Sequence, residues 1–259
     1  MVVFKVLVKL YKHSKLSAFV VDNSNLKDGE SFKTLNHVGY TLKDIILGGQ
    51  DGLVNVLGIV LAVAGATNEN RIILISGLAA TFAESLSMGA VALTSSKAAN
   101  DFYKRELERE KKEIETIPSE EEKEVKIIYQ RKGFKGKLLQ EIVKKITSSK
   151  KLWLETMMQE ELRLFPDEYK NPWRNAAIVG FSSFVGSLIP LIPFLFMSTK
   201  NGMMSSVILC SLVLFCIGAV KSKLTIGHWL KSGFEMVLVG LIAAVGGYLI
   251  GLMLGVLPF

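Results

Sequence analysis

Five stretches of this chain are so long and so apolar that few environments suit them. They run over about residues 42–67, 72–94, 175–198, 203–220 and 232–259. A helix rising ~1.5 Å per residue needs about 20 residues to cross the hydrocarbon core of a bilayer, and each stretch is near or above that length. Inside lipid the backbone has no water to bond to, so it must satisfy itself within a helix. The expected fold is an all-α membrane protein with five transmembrane helices. Only the polar turn TNENR separates the first two, which makes them an antiparallel hairpin.

Between the second and third stretches lies a polar insert, about residues 97–174, that holds most of the chain's acidic residues. NDFYKRELEREKKEIET is a strong helix former and reads as the second span continued into water, ended by Pro118. Ser119 followed by Glu122 reads as a capping box that opens a second helix to about residue 131. GFKGKLLQEIVKKITSS is a glycine-punctuated connection with a short amphipathic helix, and a third insert helix runs over about 150–165, stopped by Pro166. The domain plan is therefore a basic arm (1–41), two spans (42–96), the insert (97–174) and three spans (175–259).

Lys and Arg set the orientation. The N-terminal side carries Lys5, Lys9, Lys12, Lys15, Lys27, Lys33 and Lys43, the insert is rich in both, and Lys221, Lys223 and Lys231 join the fourth and fifth spans. The opposite turns hold only Arg71 and Lys200, so the N-terminus and insert are expected in the cytoplasm. The net charge of +7 has the same source. With no aromatic-interleaved basic patch, it gives no reason to expect nucleic acid as a partner. Cys210 and Cys216 are six residues apart in an apolar run and read as packing residues. No unbroken apolar signal region opens the chain, and the expected location is a prokaryotic plasma membrane, or a vacuolar membrane in a eukaryote.

Against this apolar background Glu84, in GLAATFAESLSMG, stands out. A charged carboxylate at the centre of a membrane helix costs about 2.5–3.5 kcal/mol or more, so it faces a protein interior or a wet path. Asp51, in GGQDGLVN of the first span, is its counterpart, since the two lie roughly sixteen and thirteen residues from the same turn. Two carboxylates in a low-dielectric slot repel when both are ionised, so they share a proton or bind a cation. That is the chemistry of cation/proton exchange. Met88, one turn beyond Glu84 on the same face, offers a thioether that would soften such a site toward a transition metal, although a Met in a membrane helix is more often a packing residue. Glu235, at the start of the fifth span, reads as an interfacial contact.

The insert repeats the theme at helical spacing. Glu106, Glu110 and Glu113 form an i, i+4, i+7 stripe, Glu121 and Glu124 are i, i+3, and Met157, Met158 and Glu161 lie within about one turn. Taken alone, such a charge run reads as a solvated face with Lys partners; combined with an intramembrane acid pair, hard carboxylates with thioether access suit a divalent transition metal better than Ca²⁺. The three histidines lie away from these glutamates, and no E-x-x-H, H-E-x-x-H, P-loop or G-x-S-x-G occurs. Enzymatic or ATP-driven work has no visible machinery, and transport would run on an ion gradient. Gly247, Gly251 and Gly255 give the fifth span a close-packing face, Gly48, Gly49 and Gly52 bracket Asp51, and Pro190 and Pro193 kink the third span.

Together DGLVN, GLAATFAESLSMG, RELEREKKEIE with its following proline, WLETMMQEEL and IPLIPF resemble the vacuolar iron transporter family and its prokaryotic relatives, over about residues 42–259. The resemblance implies five membrane helices, a homodimer, and export of Fe²⁺ from the cytosol in exchange for protons. It matches Asp51 and Glu84 to the translocation path. It also implies a cytoplasmic metal-binding domain at Glu110, Glu113, Glu121, Glu124, Met157, Met158 and Glu161, with Glu106 beside them. The expected function is secondary transport of Fe²⁺, or Mn²⁺, with Zn²⁺ a further cargo and no permanently bound cofactor. The alternative is a membrane-anchored metal-binding or sensing protein that moves no ion.

Overall fold

The computed structural model describes residues 30–166, 171–224 and 227–255, and the side chains of residues 30–40, 223 and 224 lie outside the description. Every regular element among the described residues is a helix, with no strand among them. Contacts divide the chain into residues 1–40 and residues 41–259, and apart from the start of the first helix everything that follows lies in the second unit. Helix α1 spans Glu30–Ala66. Helix α2 (Asn70–Thr116) comes next, followed by the insert helices α3 (Pro118–Arg131), α4 (Gly136–Thr147) and α5 (Lys150–Thr156). The chain re-enters the apolar layer as α6 (Pro172–Leu188), continued through one 3₁₀ turn (Ile189–Leu191) into α7 (Ile192–Phe196). Helices α8 (Thr199–Leu224) and α9 (Trp229–Gly255) complete it.

Five of these segments are long and apolar enough to cross a membrane: Thr41–Ala66, α2, Pro172–Phe196, α8 up to Ser222, and α9. The five expected spans are all present. The first helix begins at Glu30, well before the sequence boundary at residue 42, because nothing in that stretch stops a helix short of the apolar run. The basic arm up to residue 29 lies outside the described residues.

Helix α1 is the hub of the membrane layer. Its Leu53, Leu57 and Leu61 pack with Ile189, Cys210, Leu214, Met236 and Ala244, while Val56, Val60 and Ala64 pack with Ile73, Leu191 and Phe194. Small residues make these crossings close. A Cβ at Gly52 would run into Ser187 and Ser183 of α6, and one at Gly247 or Gly251 into the carbonyls of Gly58 and Ala62 of α1. The glycine spacing read from the sequence is thus a packing face. At the hairpin end, Asn70 Nδ2 donates to the carbonyls of Phe194 (3.1 Å) and Met197 (2.6 Å), and the Thr199 hydroxyl lies 2.9 Å from the Asn68 carbonyl. The Phe194 and Met197 carbonyls lie at the C-terminal end of α7, where the helix ladder leaves them without a partner, and Asn68 lies in the hairpin turn.

The insert has a core of its own, built from Ile114, Val125, Leu139, Val143, Ile146, Trp153 and Met157. Two local expectations are corrected here. No capping box opens α3: Pro118 occupies the first turn, where its fixed φ and missing N–H cost nothing, so the cap position falls on Ile117, which has no side chain to accept a bond. The helix expected over 150–165 is shorter. Helix α5 gives way to a π-helical turn at Met157–Glu161, and Arg163 follows with a φ of 56°. Ser149, not singled out in the sequence, caps α5 by accepting from Leu152 N–H at 3.4 Å.

Candidate functional site

Two groups of polar side chains interrupt this apolar scaffold. The first joins α1 to α2. Asp51 sits on α1, four residues before Asn55, so both occupy one face of the helix. Asn55 Nδ2 donates to Glu84 Oε1 of α2 at 3.1 Å, and the Asp51 carboxyl is a close neighbour of that of Glu84. Asp51 and Glu84 are half-buried and Asn55 is exposed, so the constellation opens onto the surface of the single chain. Met88 is half-buried one turn further along α2.

Close helix approach puts a second layer of polar groups behind this pair. Ser183 and Ser187 of α6 are fully buried where Gly52 meets them, and their hydroxyls have no hydrogen-bond partner. Thr81, one turn before Ser85 on α2, is also fully buried and donates to the Gly77 carbonyl at 2.8 Å. Asn55 and these hydroxyls were not picked out from the sequence. For Asn55 the i+4 spacing from Asp51 was a usable signal; for the serines only the crossing of α6 over Gly52 reveals them.

The second group lies in the insert, where α2, α3 and the π turn meet. Glu106, Glu110 and Glu121 are buried, Glu110 at 2% and Glu121 at 3% exposure, and so are Met157 and Met158. Glu113 and Glu124 are half-buried, and Glu161 stands at the open edge. One extra residue in the π turn, closed by Leu162 N–H on the Met157 carbonyl at 3.2 Å, lets adjacent Met157 and Met158 both point inward. Glu161 is at the end of that turn, and its carboxyl meets that of Glu124. Burial, then the charges of Glu124, Glu110 and Glu113, push the Glu121 carboxyl up to about 7. Burial, then Glu124 and Glu110, push Glu161 to about 7 as well.

Every glutamate and methionine singled out in the insert therefore gathers in one region, together with Arg109, which the sequence reading passed over. Among the described residues, no three acidic, histidine or cysteine side chains close to metal-binding geometry. Arg109 pairs with three of the carboxylates, those of Glu106, Glu110 and Glu113. Two oxygens, Glu110 Oε2 and Glu121 Oε2, are buried without any hydrogen-bond partner. A buried anionic oxygen left unpaired is costly, and a cation is the partner that removes the cost. The donor set fits a divalent transition ion as cargo: hard carboxylate oxygens with two buried thioethers at their edge.

With this geometry in view, comparison with known proteins is informative. A family model described as the VIT family matches residues 42–252. Vacuolar iron transporter 2 of Oryza sativa subsp. japonica is 32% identical over 211 residues, which covers 81% of this chain and 86% of that protein. Vacuolar iron transporter of Plasmodium falciparum (isolate 3D7) is 35% identical over 223 residues, covering 82% of each. Vacuolar iron transporter 1 of Arabidopsis thaliana is 29% identical over 211 residues, covering 81% of this chain and 84% of that protein.

Proposed function

Because this chain belongs to the VIT family, we propose that it is an integral membrane transporter that moves Fe²⁺ out of the cytosol in exchange for protons, with Mn²⁺ as a second cargo. The relatives named as iron transporters support iron as the ion. The observation that carries the exchange is the contact of Asp51 and Glu84 across α1 and α2, with Asn55 beside them. The pair holds a proton when no metal is present and yields it when a cation arrives. Protonation from the far side then releases the ion. The insert acts as the collecting end: its glutamates draw the ion from the cytosol, and Met157 and Met158 favour a transition metal over Ca²⁺. The Lys and Arg distribution supports a cytoplasmic insert.

In this reading the working unit is a homodimer. Asn55 is exposed and Glu84 only half-buried in one chain. A carboxylate left facing lipid costs about 2.5–3.5 kcal/mol or more, so a second copy that covers this face turns an exposed polar patch into an enclosed path. The membrane is a prokaryotic plasma membrane, or that of a vacuole in a eukaryotic cell; in either, the ion leaves the cytosol.

The separate core of the insert also favours one other reading, a membrane-anchored metal-binding protein that moves nothing. Proteoliposomes separate the two. Transport predicts Fe²⁺ uptake driven by an opposed pH gradient, with protons moving the other way, and the same for Mn²⁺. Binding to the insert without uptake favours the sensor.

A further inference from the structure

The acidic stripe of the insert contains its own cation. Arg109 lies on α2 between the glutamates, and its guanidinium reaches Glu110 Oε1 at 2.9 Å, Glu106 Oε2 at 3.3 Å and Glu113 Oε2 at 3.6 Å. Glu106 Oε1 is bound separately by Arg105 at 2.9 Å. Arg109 thus touches three acids of the collecting region at once, while the second oxygen of Glu110 stays buried and unpaired. No other cation is ion-paired to Glu110 or Glu113 among the described residues. The Arg109 side chain is half exposed at 49%, so it can swing into water at little desolvation cost, whereas the Glu110 carboxylate cannot.

We propose that Arg109 is a displaceable counter-ion of the metal site: it neutralises Glu106, Glu110 and Glu113 in the metal-free protein and is pushed aside when a divalent ion enters. It is a positioning residue that sets how tightly the ion is held. Guanidinium stays protonated at any working pH, so the competition does not depend on its titration. A weakened grip suits a collecting site, which must release its ion toward the path. The inference rests on the insert being a metal site, as proposed above.

The role has a two-sided consequence that a purely structural arginine lacks. Removing the charge leaves like charges unpaired in the metal-free protein, which lowers its stability. It also removes a competitor, which raises affinity for metal. The test is Mn²⁺ binding by calorimetry on the full chain in detergent, with thermal melts in the presence of chelator. Arg109→Gln is expected to lower the metal-free melting temperature and to tighten Mn²⁺ about tenfold, since a single charge near a partly exposed site acts on that scale. Arg109→Lys, which keeps the charge but loses the forked reach, should tighten binding less, and it decides the matter if the glutamine variant does not fold. Lys123→Gln, which removes only the surface pair to Glu120, should leave the affinity unchanged. Unchanged or weaker binding in the folded Arg109 variants overturns the counter-ion role while leaving the metal site standing, provided Glu121→Gln weakens binding. If the wild type binds no Mn²⁺, or Glu121→Gln binds as the wild type does, the metal-site reading falls and the counter-ion role falls with it.

Discussion

At the scale of single residues, the insert is an apolar core that keeps charged groups it could have excluded. Glu121 is nearly sealed from solvent and has one oxygen without a partner. The titration of Glu121 and Glu161 has a definite sign. Their folded values of about 7 lie above the ordinary carboxylate value of 4.5, so the folded protein binds more protons than the unfolded chain between those limits. Their contribution is fully present below pH 4.5 and is lost as pH rises through 7. Melting in the presence of chelator should therefore show the insert more stable at pH 5 than at pH 8, and saturating Mn²⁺ should flatten that slope at the alkaline end. Replacing Glu121 by Gln should stabilise the metal-free protein at pH 8 by about 1–2 kcal/mol and weaken Mn²⁺ binding at least about tenfold, both readable in the same melts and titrations. Helical spacing lines these glutamates up, but a charged stripe alone reads as solvated surface, and it is the resemblance to the family pattern that singles them out. Arg109 was not singled out, because a basic residue within an acidic helix looks like ordinary surface pairing until its three partners are seen.

Among the elements, α2 carries the architecture. At 47 residues it is roughly 70 Å long, more than twice a bilayer core, and one rigid helix links Glu84 to Glu110 over roughly 40 Å. Span number and the glycine faces could be read from the sequence because apolar length and small-residue spacing are periodic signals. Local punctuation was less legible. Ser119 and Glu122 satisfy a capping pattern, yet Pro118 takes the first turn and moves the cap to Ile117. The π turn at Met157–Glu161 inserts a single residue, too little to disturb the apolar pattern but enough to turn both methionines inward. Packing at the α1–α9 crossing yields a direct prediction. A methyl group at Gly251 would meet the Ala62 backbone, with the Ala62 carbonyl carbon at 2.7 Å, and backbone cannot step aside as a side chain can. Gly251→Ala should cost about 1–3 kcal/mol, measured as earlier unfolding in detergent, whereas Gly246→Ala, with open space around it, should be nearly neutral.

For the whole molecule, the structure sets the acidic insert at one end of α2 and the neighbouring carboxyl groups of Asp51 and Glu84 between α1 and α2. The chain's hydropathy gave away the membrane fold, and the five long apolar helices and the family match over residues 42–252 agree with that reading. What could not be read was how the acids of α1 and α2 meet, since that depends on the rotation of two helices about their axes and not on any residue's identity. The central claim is that Asp51 and Glu84 carry the ion across. It is tested most directly by Fe²⁺ flux into proteoliposomes under a fixed pH gradient, with wild type, Glu84→Gln and Asp51→Asn compared in the same preparation and Mn²⁺ binding to the insert measured alongside. The account predicts flux reduced at least about tenfold in both variants with insert binding intact; flux at the wild-type rate in either variant would contradict it.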